Sequence, residues 1–274
     1  MTSLRCPVCG EPLFLQQRSY RCKKGHSFDL SREGYCNLIL SGRRHGKTPG
    51  DNQDMARARN QFFAGDHYRI LLDALSAQVL KYLPQDGTLV DAGCGEGYYT
   101  AGVFSALQQT GRWGDLVGVD LSKFALRFAA KREPGVRFLA ASIFALPLFD
   151  QTADMVMNIF APVADREFYR VLRPGGVLAI GAPGPRHLFG LKEVLYNAPY
   201  ENEKNSFVLE GFSSLEVIRV SGEMRLESKE DIAHLFMMTP YYWKSPKEGC
   251  QRLESLHTLS TPIQFEIHLL KKTS

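Results

Sequence analysis

The sequence predicts an α/β protein in which a small cysteine-rich module precedes a parallel sheet. From about residue 85 onward, short apolar stretches alternate with segments of helical periodicity, as expected when helices join parallel strands. A glycine-rich turn follows the first of these strands. Near the amino terminus, three of the six cysteines and a histidine fall within 21 residues. These observations together predict two structural parts of unequal size.

Length and composition agree with this division. The chain has 274 residues, enough for one large α/β domain and something smaller at a typical ~100–200 residues per domain. We divide it into a module at residues 1–40, a linker and helical segment at 41–84, and the α/β domain at 85–274. Hydrophobic residues make up 44%, which supports a sizeable core and argues against general disorder.

The sequence lacks the features of a membrane span or a secretory signal. The most apolar stretch, residues 138–149, is too short to cross a bilayer and contains Pro147. The amino terminus has no basic region followed by an apolar one. We therefore expect a cytoplasmic protein with no membrane partner.

The positive charge is concentrated at one end of the chain. Residues 1–50 contain nine Lys or Arg and three Asp or Glu, a net charge of +6, so the other 224 residues sum to −2 within the total of +4. A basic segment of this kind suits a polyanionic partner. A solvated charged surface explains the same distribution equally well.

Three cysteines and one histidine are spaced as ligands of a structural zinc ion. Cys6 and Cys9 form one short pair, Cys22 and His26 form a second, and twelve residues separate the pairs. Two such pairs supply the four ligands of a tetrahedral site, which leaves no open position for catalysis. A redox pair at 6 and 9 is the alternative, but it lacks a following helix. His45 is a poorer candidate than His26 because it lies far from Cys22.

The insert between the ligand pairs predicts a hairpin. Residues 13–15 and 19–21 read as its two arms, and Gly10 and Gly25 suit the tight turns at the ligand pairs. So short a segment buries little apolar surface, so a bound metal would supply stability that packing cannot.

A basic connector and two helices follow the module. Residues 43–51 are polar and rich in turn formers, which indicates either a phosphate-contacting loop or a plain linker. From Asn52 onward, apolar residues recur at helical spacing, and a second helical pattern ends at Pro84. Both patterns are typical of core-facing helices.

The segment 88–107 predicts a strand, a glycine loop and a helix that together hold a nucleotide-like ligand. Residues 88–90 are apolar and partly β-branched, residues 91–97 read DAGCGEG, and a helix is predicted over 98–107. The next strand, 115–120, ends in Asp120, a little over ~20 residues past the loop, where an acid that binds a ribose is expected. A structural turn and another nucleotide are the alternatives.

The loop resembles the S-adenosylmethionine loop of class I methyltransferases. An acid precedes the first glycine, and the glycines alternate with single residues, unlike the spacing of dinucleotide sites. The resemblance implies a Rossmann-like sheet and S-adenosylmethionine as cofactor. We expect the cofactor to be held by nine residues: Asp91, Gly93, Gly95, Gly97, Tyr99, Thr100, Asp120, Ser142 and Asn158.

The remaining elements continue the alternation of strand and helix. Strands are predicted at 136–140, 154–162, 177–181 and 212–224, with helices near 123–132, 167–172, 191–196 and 229–238. Residues 263–270 alternate apolar and polar, which predicts an antiparallel edge strand. The aromatic segment 237–243 suits either stacking of a flipped base or packing against the domain.

The order of motifs along the whole chain resembles the bacterial 23S rRNA (guanine-N1)-methyltransferase family. The cysteine–histidine pattern and the generic glycine loop are followed by Phe-Ala-Pro at 160–162, Pro-Gly-Pro-Arg-His-Leu at 183–188 and Met-Thr-Pro at 238–240. The resemblance implies that a zinc ribbon helps bind an rRNA hairpin and that the α/β domain methylates one guanine. The family has a housekeeping branch and a macrolide-resistance branch, which act on neighbouring guanines.

The chemistry of guanine N1 suggests which residues act in catalysis. N1 carries a proton at neutral pH, so a base, or donors that stabilise negative charge at O6, should assist the transfer. Asp51 and His187 are the preferred candidates for the base, with Asp66 and His67 as others, and Arg186 is a candidate to stabilise O6 or to bind a phosphate. The target guanine must be unpaired or flipped.

Two other functions are compatible with the sequence. One is a small-molecule methyltransferase whose zinc ribbon is purely structural. The other is a non-catalytic RNA-binding assembly factor that retains an adenosyl site. The sequence does not fix the oligomeric state, and a homodimer is one of the open arrangements.

Overall fold

The computed structural model describes residues 3–40, 52–112 and 114–273. The amino-terminal module forms a four-stranded antiparallel sheet in the order β1-β2-β3-β4. Its strands are β1 (Leu4–Arg5), β2 (Pro12–Gln16), β3 (Ser19–Arg21) and β4 (Ser27–Asp29). The second and third strands pair with Leu15 opposite Tyr20, so the hairpin predicted between the ligand pairs is confirmed.

Eight strands form the main sheet. They are β5 (Cys36–Asn37), β6 (Thr88–Ala92), β7 (Asp115–Asp120), β8 (Arg137–Ala140), β9 (Ala153–Ile159), β10 (Leu172–Pro183), β11 (Phe212–Leu226) and β12 (Leu259–Lys272). Their order is β11-β12-β10-β9-β6-β7-β8-β5. The six strands from β10 to β5 in this order are mutually parallel, and β12 is antiparallel to both of its neighbours. Strands β7 and β8 follow β6 on one side, whereas β9 and β10 lie on its other side, so the strand order reverses at β6 and creates a cleft at the carboxyl ends of the strands.

Helices connect the strands. They are α1 (Gln53–Ala64), α2 (Arg69–Tyr82), α3 (Tyr98–Gln109), α4 (Lys123–Arg132), α5 (Asp165–Val171), α6 (Phe189–Leu195), α7 (Lys229–Met237) and α8 (Lys247–Glu254), with a 3₁₀ turn at Pro240–Trp243. Asn52 and Ser122 cap α1 and α4 by accepting hydrogen bonds from main-chain amides. Among the described residues, no helix is long and apolar enough to span a bilayer.

The prediction of an edge strand at 263–270 is wrong. The segment belongs to β12, which lies between β10 and β11 and is paired along both sides. Its alternating pattern arises because side chains on one face are fully buried, whereas those on the other face are half-buried. Alternation of apolar and polar residues indicates how deeply each face of a strand is buried. It does not indicate whether the strand is hydrogen-bonded to a neighbour on both sides. The edge strand is β11, most of whose side chains are exposed or half-buried.

Each face of the main sheet has its own core. Alternate residues such as Leu89 and Met155 pack beneath the helices, whereas Val90 and Val156 face a second cluster. That second cluster includes Leu4, Cys6 and Tyr20 of the amino-terminal module. The module therefore shares a core with the sheet, and β5 extends that sheet by pairing with β8.

Candidate functional site

A cavity of about 950 Å³ opens at the carboxyl ends of the parallel strands. Residues at or just after the ends of four strands line it: Gly93 after β6, Asp120 at the end of β7, Phe160 after β9 and Pro183 at the end of β10. Helix α1 and the turn after α7 supply the remaining walls. This is the position at which open α/β sheets bind their ligands.

The glycine loop combines close packing with an open surface. A Cβ at Gly93 would lie 2.5 Å from the Cβ of Ala161, and one at Gly97 would lie 2.9 Å from the Cα of Ala129 in α4. At Gly95, by contrast, the nearest atom to such a Cβ is a nitrogen of Arg59 at 3.9 Å. The outer two glycines hold the loop against its neighbours, and the middle one presents bare main chain to the cavity.

Two acids that were predicted to bind the cofactor, Asp120 and Asp91, accept hydrogen bonds in and next to this loop. The carboxylate of Asp120 accepts hydrogen bonds from the amides of Gly95, at 3.0 Å, and Ser122, at 2.7 Å. Asp91 is buried beneath the loop and accepts a 2.5 Å hydrogen bond from the hydroxyl of Thr100. Burial raises the pKa of Asp91 to about 7, the bond from Thr100 opposes this shift, and the charge of Asp120 adds to it.

Two buried polar atoms beside the loop have no hydrogen-bond partner among the described residues. They are the hydroxyl of Tyr99, which lines the cavity, and Oδ1 of Asn158. The amide nitrogen of Asn158 donates to the carbonyls of Ala92 and Pro162, which fixes the orientation of its side chain. Buried polar groups of this kind normally have partners, and of these two residues only Tyr99 lines the cavity, so a polar ligand is expected to satisfy its hydroxyl. The open main chain, the acid and this hydroxyl fit S-adenosylmethionine.

Ser142 lies outside the cavity lining. Its hydroxyl accepts a hydrogen bond from the amide of Phe144, which closes a local turn. The adjacent Ile143 and Phe144 line the cavity together with Leu121. The wall next to Asp120 is therefore apolar, as suits the flat face of an adenine.

The opposite wall is aromatic. Phe160 lines the cavity, and its ring is 43% exposed although it contacts the buried rings of Tyr68, Phe265 and His187. Its backbone has a φ of +54°, in the left-handed region that side chains other than glycine rarely adopt. The 3₁₀ turn adds Tyr241 and Trp243 to the same side.

His187 lines the cavity in its neutral form. Its Nδ1 accepts a hydrogen bond from the amide of Gln264, at 3.4 Å, and Nε2 lies 3.3 Å from the hydroxyl of Tyr68. Burial, with a smaller contribution from the charge of Lys192, lowers the pKa of His187 to about 3. A group with so low a pKa accepts protons poorly at neutral pH.

Arg186, the second of the predicted catalytic residues, lies outside the cavity lining. Arg186 is on the surface, where its guanidinium stacks on the ring of Phe189 and lies 3.4 Å from Glu201. It is absent from the cavity lining, which suits a contact to phosphate at the rim rather than to a base. Asp51 falls outside the described residues.

Several cavity residues could not be recognised from the sequence. Asn202 lines the cavity and donates hydrogen bonds from Nδ2 to the carbonyls of Gly184 and His187. It lies in an irregular segment with no periodicity, so no local pattern could reveal it. Met55 and Arg59 of α1 also line the cavity, although the helical pattern alone assigned that helix to the core.

The four predicted metal ligands lie together. The ligand atoms of Cys6, Cys9, Cys22 and His26 are all within 4.8 Å of one another. The two sulfurs of Cys9 and Cys22 are 3.7 Å apart, and Nδ1 of His26 lies 3.3 Å from Cys22 and 3.6 Å from Cys6. The edges of a tetrahedron around zinc, with ligand distances near 2.3 Å, measure about 3.8 Å. The cluster therefore fits a structural zinc ion.

The turns that present these ligands have the predicted form. Gly10 and Gly25 have φ values of +77° and +85°. Burial tends to raise the pKa of Cys22, but hydrogen bonds from the main chain at His26 and Lys24 and from neighbouring side chains lower it to about 6. A thiol that ionises readily is suited to bind a metal.

Comparison with known proteins finds relatives along the whole chain. Residues 4–47 match the zinc-ribbon family described as "RlmA, N-terminal", and residues 84–226 match the family described as "Methyltransferase domain". The "23S rRNA (guanine(748)-N(1))-methyltransferase" of Streptomyces fradiae is 31% identical over 275 residues, which cover 96% of this chain and 95% of that protein.

Two further relatives have related names. The "Putative 23S rRNA (guanine-N(1)-)-methyltransferase" of Micromonospora griseorubida is 38% identical over 70% of this chain and 69% of its own length. A Bacillus subtilis protein with the same type of name is 27% identical over 96% of this chain and 95% of its own length.

These matches confirm the predicted Rossmann-like methyltransferase fold with an amino-terminal zinc ribbon. The ribbon match covers the cysteine–histidine cluster, and the domain match covers the glycine loop and the strands that form the cavity. The chain therefore belongs to the 23S rRNA (guanine-N1)-methyltransferase family of S-adenosylmethionine-dependent enzymes.

Proposed function

We propose that this protein transfers a methyl group from S-adenosylmethionine to N1 of a guanine in a hairpin of 23S rRNA. The observation that carries the proposal is a single cavity with two unlike walls. One wall has bare main chain and a carboxylate at Gly95 and Asp120, and the other has exposed aromatic rings, with Phe160 at the carboxyl end of β9. The names of the full-length relatives support the choice of substrate.

The residues around the glycine loop would hold the cofactor, which supplies an electrophilic methyl group. Asp120 is placed to accept hydrogen bonds from a ribose, and Gly95 leaves room for the ligand beside the main chain. The unpartnered hydroxyl of Tyr99 would bind a polar group of the ligand. Asp91, Thr100, Gly97 and Asn158 support the loop, and Ser142 shapes the turn that carries Ile143.

The aromatic wall would hold the guanine. A flipped base stacks favourably on an aromatic ring, at roughly 1–3 kcal/mol per base. Phe160 offers such a ring beside the loop at Gly93, since Ala161 packs directly on that glycine. Stacking there would bring the base and the methyl group close together, and positioning of this kind supplies much of the rate of an in-line displacement.

His187 would orient the base rather than remove its proton. The low pKa of His187, about 3, keeps it neutral, and both of its nitrogens lie near protein groups. Asp51 stays a candidate proton acceptor on the basis of the sequence alone, and Arg186 a candidate phosphate contact. The N1 proton must leave before or during the transfer, so groups that stabilise the resulting negative charge are required.

The zinc ribbon would bind the RNA outside the cavity. Its surface has exposed cations at Arg21 and Lys23 and exposed apolar side chains at Phe14 and Leu15. Cations contact phosphates and aromatic rings stack on unpaired bases, so the combination suits an RNA hairpin. A ribosomal substrate would be met in the cytoplasm, in line with the expectation from the sequence.

The test is a transfer assay with labelled S-adenosylmethionine and unmodified 23S rRNA, followed by nucleoside analysis. The proposal expects 1-methylguanine at one position, abolished when that guanine is replaced by adenine. Methylation at another atom or in another RNA would overturn it. Efficient transfer to a metabolite with no response to rRNA would favour the small-molecule enzyme. Cofactor and RNA binding without any transfer would favour the assembly factor.

A further inference from the structure

Lys192 is a buried lysine whose hydrogen bonds in the described structure go to neutral groups. It lies on α6 and its residue exposure is 0%. Its Nζ donates hydrogen bonds to the carbonyl of Tyr200, at 2.9 Å, and to Oδ1 of Asn202, at 2.7 Å. The same nitrogen lies 4.3 Å from the centre of the Tyr200 ring and 5.5 Å from that of Tyr241. Among the described residues, no carboxylate lies within ion-pair distance of it.

Burying a charge without a counter-ion is costly, so a functional reason is expected. Burial lowers the pKa of Lys192, and the charge of Glu201 opposes this shift. Glu201 itself is half-exposed and lies near Arg186. The two oxygens and the two rings are all neutral, yet each favours the ammonium form. These four neutral groups therefore stabilise the charged form of Lys192 but do not neutralise its charge.

This charge lies directly behind the cavity wall. Asn202 and Tyr241 both line the cavity, and both contact the side chain of Lys192. The charge of Lys192 also contributes to the lowered pKa of His187, another cavity residue. Its field therefore reaches the space in which the substrate base would lie.

We propose that the buried ammonium of Lys192, acting across the part of the cavity wall formed by Asn202 and Tyr241, stabilises the negative charge that guanine acquires on losing its N1 proton. This rests on the proposed function. The N1 proton passes to solvent or to a base such as Asp51, the charge spreads over N1 and O6, and a bond forms from N1 to the methyl carbon as the sulfur–methyl bond breaks. Lys192 is a positioning residue, since it does not line the cavity.

The other ionisable groups near Lys192 do not provide the same charge. Tyr196 and Tyr200 pack against each other at the end of α6, and burial raises the pKa of both Tyr200 and Tyr241, so these two remain neutral. From α8, Arg252 donates to the carbonyls of Val194 and Leu195 rather than facing the cavity. From β12, the group nearest α6 is the neutral hydroxyl of Thr261, which accepts from Gly190.

Lys272 provides a matched control. It is also buried, its Nζ also donates two hydrogen bonds, in this case to the main-chain carbonyls of Tyr169 and Leu172, and it lies 4.1 Å from the centre of a tyrosine ring. It is at the end of β12 that pairs with Phe212, beside the amino-terminal part of β10 and therefore at the opposite end of the strands from the cavity. Lys272→Met should therefore reproduce the structural cost of removing a buried ammonium and leave the chemistry alone.

The experiment measures single-turnover rates against pH with rRNA and S-adenosylmethionine saturating. For Lys192→Met we expect a rate about 100-fold lower at neutral pH. Its pH profile should shift upward by about two units, so that the rates converge with wild type in alkali. Lys192→Arg should recover most of the rate, and Lys272→Met should keep the wild-type profile. The affinity for cofactor and the melting temperature serve as readouts of folding.

A Lys192→Met protein that binds cofactor normally and keeps the wild-type pH profile would overturn the inference. If that variant does not fold, the wild-type profile decides the matter. Its apparent pKa should lie at least about one unit below that of the same guanine N1 in free RNA, and equal values would contradict the inference. Wild-type protein that makes no 1-methylguanine would instead refute the proposed function.

Discussion

Phe160 shows how a single strained residue can indicate function. Its φ of +54° is held by a hydrogen bond from its amide to the carbonyl of Gly181, at 2.9 Å, and by the packing of Ala161 against Gly93. Strain of this kind, roughly 1–3 kcal/mol, persists where the surroundings enforce it, and it is found often at ligand sites. The sequence marked 160–162 as part of a motif, but it could not reveal that the ring would be exposed in the cavity.

Replacing Phe160 by alanine should weaken the use of RNA and spare the cofactor. Loss of a stacking ring should lower kcat/KM for rRNA by about 10- to 100-fold, since such a ring contributes roughly 1–3 kcal/mol. The dissociation constant for S-adenosylmethionine, measured by calorimetry, should change less than about two-fold. Phe160→Tyr keeps the ring and should behave like wild type. An alanine variant with unchanged kcat/KM would mean that the base stacks elsewhere.

At the scale of elements, the strand–loop–helix unit from β6 to α3 carries a pH-dependent stability. Asp91 at the end of β6 has a pKa of about 7, above its usual 3.8. From about pH 4 to pH 7 the unfolded chain therefore loses this proton first, so the free energy of unfolding falls as pH rises and then levels off. Below about pH 4 both the folded and the unfolded protein hold this proton, so Asp91 makes its full contribution to the free energy of unfolding.

Asp91→Asn should remove this dependence. Between pH 5 and pH 8 the wild-type protein, measured by denaturant unfolding without cofactor, should lose about 3 kcal/mol more stability than the variant does. The comparison cancels the titration of all other groups that behave alike in both proteins. Parallel curves for the two proteins would show that Asp91 is already ionised in the native state.

The stability of the zinc ribbon should depend on the binding of its metal ion. The ribbon has four ligand atoms within 4.8 Å of one another. We expect one zinc ion per chain by metal analysis. Removing it with a chelator should lower the melting temperature and abolish RNA binding, while cofactor affinity stays within about two-fold, because the glycine loop lies in the other part of the fold.

A cysteine outside the cluster supplies the control for this test. Cys9→Ser should reproduce the effects of the chelator, whereas Cys250→Ser, at a partly exposed thiol on α8, should not. Chelated protein that still binds RNA with wild-type affinity would contradict a role for the ribbon fold in recognition.

Periodicity and spacing predicted the local elements well because both are local properties. The four metal ligands, β7 with Asp120, and α4 with its Ser122 cap lie where the sequence placed them. The helix α8 was missed, since it has only eight residues and only Gly249 and Leu253 are buried. Asn202 and Lys192 were missed because their roles depend on contacts that the fold creates.

At the scale of the whole molecule, the charge distribution and the docking of the ribbon combine. The ribbon shares a core with one face of the main sheet, and its chain enters that sheet as β5. Residues 3–40 contain six Lys or Arg and three Asp or Glu, so a net charge of +3 is attached to the same folded unit as the cavity. A fixed basic surface beside a cavity can orient a bound hairpin, whereas a flexibly tethered one would only raise its local concentration.

Removing two exposed ribbon cations should make RNA binding less dependent on salt. For Arg21→Ala with Lys23→Ala, the slope of log affinity against log salt concentration should fall by about 1.4–1.8, since each lost phosphate contact accounts for about 0.7–0.9. Filter binding at several salt concentrations measures this. Lys271→Ala, on an exposed residue at the opposite edge of the sheet, should leave the slope unchanged. Equal slopes for both variants would show that Arg21 and Lys23 do not contact the phosphates of the RNA.

The central position of β12 has a consequence for synthesis of the protein. This strand separates β10 from β11, yet ribosomes make it after both of them. Until it emerges, the nascent chain exposes one unpaired flank of β10, and the fifteen residues of β11 have no partner. At this stage the cofactor pocket is otherwise complete, but the sheet has unpaired strands that can aggregate. Chaperone binding or a pause late in translation would therefore affect the yield of folded protein most at this stage.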